Sequence, residues 1–148
     1  MASKEILGRG QPGSSRGDSM KRVLFVCTEN SARSQMAEAF FNKYAKNALA
    51  SSAGSRPAKN IDPTVVKIMR ERGLDLQWKK PSAFAPHLNE KFDFIIRMGC
   101  HDACPVTPRE KTIEWGIPDP KGKKIEDYAA ARDDIERRVR KLILELGH

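Results

Sequence analysis

Short apolar runs alternate along the chain with segments in which apolar positions recur at helical spacing. Val23-Leu24-Phe25-Val26 is continuous between Lys21-Arg22 and a polar loop, the pattern of a strand buried on both faces. From Ser34 the period changes: Ala37, Phe40, Phe41 and Tyr44 share one helical face, with Gln35, Glu38, Asn42 and Lys43 on others. Residues 49–52 predict a short strand ended by Ala53-Gly54. Pro63 suits the first turn of a helix carrying Val65, Val66, Ile68 and Met69, and Gly73 suits its stop. Further strands are predicted at 92–98 and 111–115, the second leading into a Pro/Gly-rich loop. Tyr128, Ala131, Ile135, Val139, Leu142, Ile143 and Leu146 keep a helical period almost to the last residue.

This alternation predicts an α/β domain with a parallel sheet, right-handed crossovers and helices on both faces. Ligands of such sheets sit beyond the carboxyl ends of the strands, where Cys27 falls. Residues 1–19, with Gly8, Gly10, Pro12, Gly13 and Gly17 among serines, have the composition of a disordered leader, leaving residues 20–148 as a single catalytic domain. Hydrophobic residues make up 39% and charged residues 31%, with no apolar run near the roughly 20 residues a membrane span needs. Nothing at the start reads as a secretory signal, so the expected compartment is cytoplasmic. The net charge of +8 is spread among acids without aromatic interleaving, which argues against nucleic acid as a partner and suits a small oxyanion. The 3 cysteines are an odd number for a disulfide scaffold.

The first of them heads a loop, Cys27-Thr28-Glu29-Asn30-Ser31-Ala32-Arg33-Ser34, between the first strand and the first helix. Successive N–H groups of a tight turn, joined by the unsatisfied donors of the helix start, make an oxyanion-binding loop of residues Thr28 to Ser34. Arg33 adds a fork of two parallel hydrogen bonds for a tetrahedral anion. The same donors favour a thiolate at Cys27, making it the candidate nucleophile, with Ser34 placed to donate to the sulfur. Asn30 suits a left-handed turn in mid-loop. Glu29 puts an acid beside an anion site, which is tolerable only if its side chain points away.

Residues 23–38, through Gln35-Met36-Ala37-Glu38, resemble the thioredoxin-coupled arsenate reductases, relatives of the low-molecular-weight tyrosine phosphatases, and the resemblance runs from about Met20 to the final helix. It implies a three-layer fold with a four-stranded parallel sheet and this loop after the first strand. Both groups share the loop, so the loop does not separate reduction from hydrolysis. The reductases also suggest a potassium site. Asn30, Glu38 and Ser52 match three of its positions, but Ala83 stands where a carboxylate is expected, which puts potassium activation in question. No bound cofactor or metal is expected.

A second constellation, Met98-Gly99-Cys100-His101-Asp102-Ala103-Cys104-Pro105, follows the strand predicted at 92–98 and so belongs to the same sheet edge as Cys27. Thiol exchange among the three cysteines supplies the two electrons that arsenate reduction needs. Cys27 attacks arsenate, Cys100 attacks the adduct and releases arsenite, and Cys104 then takes over the disulfide from Cys27. The resemblance implies thioredoxin, or a similar dithiol protein, as the reductant. Alternatively Cys100 and Cys104 are core residues, metal ligands with His101, or thiols that protect Cys27 in a phosphatase. Asp119, in Trp115-Gly116-Ile117-Pro118-Asp119-Pro120, fits the general acid of phosphatase relatives, and in a reductase would protonate the departing hydroxide. Those relatives carry paired tyrosines after this Asp-Pro. Here Lys121-Gly122-Lys123-Lys124 follows and Tyr128 stands alone, against a phosphotyrosine pocket. The expected function is arsenate reduction. The alternatives are a phosphatase with a redox-protected nucleophile and a silent metalloid-binding regulator.

Overall fold

The computed structural model describes residues 20–84, 91–99 and 107–147. Its elements are β1 (Lys21–Cys27), α1 (Arg33–Tyr44), β2 (Ala48–Gly54), α2 (Pro63–Arg70), β3 (Phe94–Arg97), a 3-10 turn at Arg109–Lys111, β4 (Thr112–Glu114) and α3 (Ile125–Glu145). The strands form one parallel sheet in the order β2-β1-β3-β4, the α/β class expected from the alternation.

β1 is central, and every residue from Val23 to Cys27 is buried. Its side chains alternate between two clusters, as strand geometry requires. Val23, Phe25 and Cys27 join the larger one, with Met36, Phe40 and Phe41 of α1, Val65, Ile68 and Met69 of α2, and Ile135, Val139 and Leu142 of α3. Leu24 and Val26 face the other side, with Ala53, Ile95, Phe84 and Phe92.

Local chemistry sets the helix ends. The Asp62 carboxylate accepts from Thr64 N–H at 2.9 Å, with Pro63 in the first turn of α2. Gly73, at φ 76°, lets the chain turn back so that Leu74 N–H reaches Met69 O at 3.1 Å. β1 and β2 are longer than their apolar runs, and β3 and β4 shorter than theirs. β2 is an edge strand, and both backbone groups of Ala50 are taken by the Asn42 amide, at 2.8 and 3.1 Å. Gln35 departs from the pattern. Helical spacing set it apart from the apolar face, yet it is 1% exposed because the first turn of α1 packs against the polar loop rather than against water.

Candidate active site

Cys27 ends β1, with its sulfur 2.9 Å from Ser34 Oγ in the first turn of α1. The Asn30 amide sets what the Ser34 hydroxyl can do there. Ser82 N–H donates to Asn30 Oδ1 at 2.7 Å, and Gln35 Nε2 donates to the same oxygen at 2.9 Å. This orients the amide so that Asn30 Nδ2 donates to Ser34 Oγ at 2.7 Å. The Ser34 hydroxyl, accepting from Asn30, keeps its proton available for donation to the sulfur. Asn30 adopts the left-handed turn, at φ 53°.

The carbonyls of the loop explain where its N–H groups face. Cys27, Thr28, Glu29 and Ser31 carbonyls accept from the backbone N–H groups of Ser55, Arg56, Ala58 and Asp62 at 3.3, 2.8, 3.0 and 3.0 Å. In a planar trans peptide the C=O and the next N–H point in opposite directions. The N–H groups of Thr28, Glu29, Asn30 and Ala32 therefore turn away from the 55–62 segment, and donors so turned, together with those at the start of α1, are the kind that can bind an anion. Gly54 permits this approach: a Cβ there would lie 2.7 Å from Thr28 O and 2.9 Å from Asn30 N. Neither the 55–62 backbone nor Gly54 was identified from sequence as part of the site. A glycine closing a strand was the one available signal.

Arg33 is 5% exposed and donates through Nη1 to Met98 O at 2.5 Å and Ile117 O at 3.1 Å, anchored by the segments that follow β3 and β4. Its Nη2 lies 3.6 Å from the exposed Asp119 carboxylate. Thr28, Arg33, Gly99, Gly116, Ile117, Pro118 and Asp119 line a cavity of about 390 Å³. Cys27, Arg33, Ser34 and Asp119 thus lie around one sheet edge, while Cys100 and Cys104 lie outside the described residues.

A family model for low molecular weight phosphotyrosine protein phosphatase matches residues 22–148. The chain belongs to this family. Arsenate reductase from Brevibacillus brevis is 34% identical over 127 residues, covering 84% of this chain and 95% of that protein. The structure of an arsenate reductase from Archaeoglobus fulgidus superposes with a TM-score of 0.73 at 41% identity, over 82% of this chain and 98% of that one. A thioredoxin-dependent arsenate reductase from Corynebacterium glutamicum gives 0.72 at 32%, over 86% and 62%. An arginine phosphatase from Geobacillus stearothermophilus gives 0.74 at 26%, over 86% and 93%.

Within this low molecular weight phosphatase fold, two acids near the loop have partners of their own. Both Glu29 oxygens accept from Lys121 Nζ at 2.8 Å, linking the Cys27 loop to the Asp119 loop and raising the Lys121 pKa through that bond. Glu38 accepts from the Ser52 hydroxyl and, at 2.7 Å, from Lys79 Nζ. The cation facing Glu38 is thus the chain's own ammonium group, and the Asn30 amide is committed to Ser34, Gln35 and Ser82. Among the described residues no group of three or more acids, histidines or cysteines is placed to hold a metal ion.

Tyr128 is buried rather than set at the cavity, and its hydroxyl donates to Asp62 Oδ2 at 2.6 Å. Through Asp62, whose N–H holds Ser31 O, α3 braces the loop. Burial, then the Asp62 hydrogen bond, raises the Tyr128 pKa from 10.0 to about 12. Because the folded value is raised, the protonated phenol contributes stability fully below pH 10, and the contribution is lost as pH rises through about 12. Tyr128→Phe is expected to cost about 1 kcal/mol at pH 8. Its stability deficit should shrink towards pH 11 when both proteins are unfolded in urea. A constant deficit would mean that the phenol does not titrate as described.

Proposed function

We propose that the chain is an arsenate reductase in which Cys27, Cys100 and Cys104 act as a three-thiol relay. The observation that carries the proposal is that Gly99 lines the cavity beside Arg33 and Asp119, and the next residue in the chain is Cys100. The Cys27 thiolate attacks arsenic(V) held by the loop N–H groups and Arg33, and a hydroxide leaves as water with a proton from Asp119. The Cys100 thiolate then attacks the Cys27 sulfur. The sulfur–arsenic bond breaks, its electron pair reduces the arsenic, and arsenite departs as the Cys27–Cys100 disulfide forms. Cys104 attacks Cys100 and frees Cys27, and a dithiol protein of the thioredoxin type reduces the Cys100–Cys104 disulfide. The similarity to arsenate reductases over nearly their whole length supports this reading, as does a cavity whose described lining has no aromatic side chain to stack on an aryl ester.

Arsenate-dependent NADPH oxidation in the presence of thioredoxin and its reductase is the test. Cys104→Ser is expected to give at most one arsenite per protein molecule by this route. Normal cycling of that variant would remove the third thiol from the mechanism. Hydrolysis at a phosphate ester is the second reading, favoured by Asp119 beside Arg33. Fast aryl phosphate turnover that survives replacement of both Cys100 and Cys104, with no arsenate-dependent oxidation, would establish it instead.

A further inference from the structure

Gly99 follows β3 with φ 88°, a left-handed conformation that glycine adopts without strain. Its missing side chain has a second use. A Cβ at this position would stand 2.5 Å from Arg33 Nη1, 3.6 Å from Ile117 O and 3.7 Å from Arg33 Cζ. The guanidinium cannot swing aside cheaply, because Nη1 is bound to Met98 O and Ile117 O inside the protein. Any residue larger than glycine therefore has to pull Arg33 off one or both carbonyls. We infer that Gly99 is a positioning residue for oxyanion binding, its bare Cα letting the Arg33 guanidinium lie against the chain so that Nη1 is spent on the two carbonyls and the edge formed by Nε and Nη2 faces the anion. This rests on the reading of the Cys27 loop as an oxyanion site.

Gly122 provides the control that separates backbone strain from displacement of Arg33. Its φ is 79°, and nothing lies within 4 Å of a Cβ built there. Gly99→Ala and Gly122→Ala introduce the same kind of left-handed alanine, but only the first meets Arg33. The dissociation constant of inorganic phosphate, measured by calorimetry on the reduced full-length protein, is expected to rise at least tenfold in Gly99→Ala and to stay within about twofold of wild type in Gly122→Ala. In an Arg33→Lys background, adding Gly99→Ala should change phosphate affinity less than twofold, because the group it displaces is already gone. Wild-type affinity in Gly99→Ala, or an equal loss in both backgrounds, overturns the inference while leaving the oxyanion site intact. If wild type itself binds no phosphate, the reading of the loop falls first and the role of Gly99 with it. Should Gly99→Ala fail to fold, Arg33→Ala in the same chain is expected to restore the thermal midpoint to that of Gly122→Ala combined with Arg33→Ala. No recovery would equally overturn the inference.

Discussion

Replacing Cys27 with serine is expected to abolish arsenate-dependent NADPH oxidation while leaving phosphate binding within a few-fold of wild type. Two separate properties of sulfur are lost. A serine hydroxyl is almost wholly protonated at neutral pH and attacks poorly, whereas the thiolate is the reactive form of cysteine. Even if an ester to arsenic formed, an oxygen could not pass into a disulfide with Cys100, so no electron pair would reach arsenic and no arsenite would leave. The loss should be complete rather than a residual slow rate. In the proposed site binding survives because the donors assigned to the anion are the backbone N–H groups of the loop and Arg33, none of them supplied by the sulfur. The check pairs the coupled assay with phosphate calorimetry on the same preparation. Arsenate-dependent oxidation above a control lacking the enzyme would mean that another group starts the reaction, and loss of phosphate binding would mean that the sulfur organises the loop.

The parts of this site that were legible in the sequence are those written locally. A buried strand running into Cys27, a polar loop, then Arg33 and Ser34 at the start of a helix, fixes the order of groups along a few residues, and Asn30 announced the left-handed turn it makes. The α2 boundaries were legible for the same reason, since Pro63 and Gly73 act on their own turns. Contacts between segments distant in sequence were not. Gln35 falls away from the apolar helical face, and the position is interior because the polar loop and the 80–82 backbone both pack over it, with Gln35 Nε2 on Asn30 Oδ1 at 2.9 Å and on Lys80 O at 3.3 Å. The N–H groups that draw the loop carbonyls outward belong to an unremarkable polar stretch at 55–62. Backbone donors carry no residue signature. Lys79 reads as one more surface charge until the fold brings it to Glu38. Gly99 carried no sign of its place in the site, since that place depends on an arginine sixty-six positions earlier in the chain.

Arg33→Lys is the substitution that asks whether this anchoring matters to chemistry, and it should lower kcat/KM for arsenate by about 10²–10³-fold, the usual effect of removing one preorganised oxyanion donor. Lysine keeps the positive charge, so a site that needed only charge would be little affected. The structure demands more of Arg33 than charge. One guanidinium satisfies two carbonyls, Met98 O and Ile117 O, on neighbouring segments through Nη1 alone, and in the proposed mechanism its Nε–Nη2 edge binds the anion. A lysine ammonium is a single centre with three donors and no planar fork. If it reaches the carbonyls it cannot also present two parallel bonds to oxygen, and if it faces the anion it leaves buried acceptors unpaired, at about 1–3 kcal/mol of stability. The contact with Asp119 adds little to this balance, because that carboxylate is 48% exposed and 3.6 Å away. Urea unfolding should therefore show destabilisation alongside the kinetic loss. A variant that keeps kcat/KM within threefold of wild type would show that the loop N–H groups bind and orient arsenate without the fork, and the carbonyl anchors of Arg33 would then be structural alone.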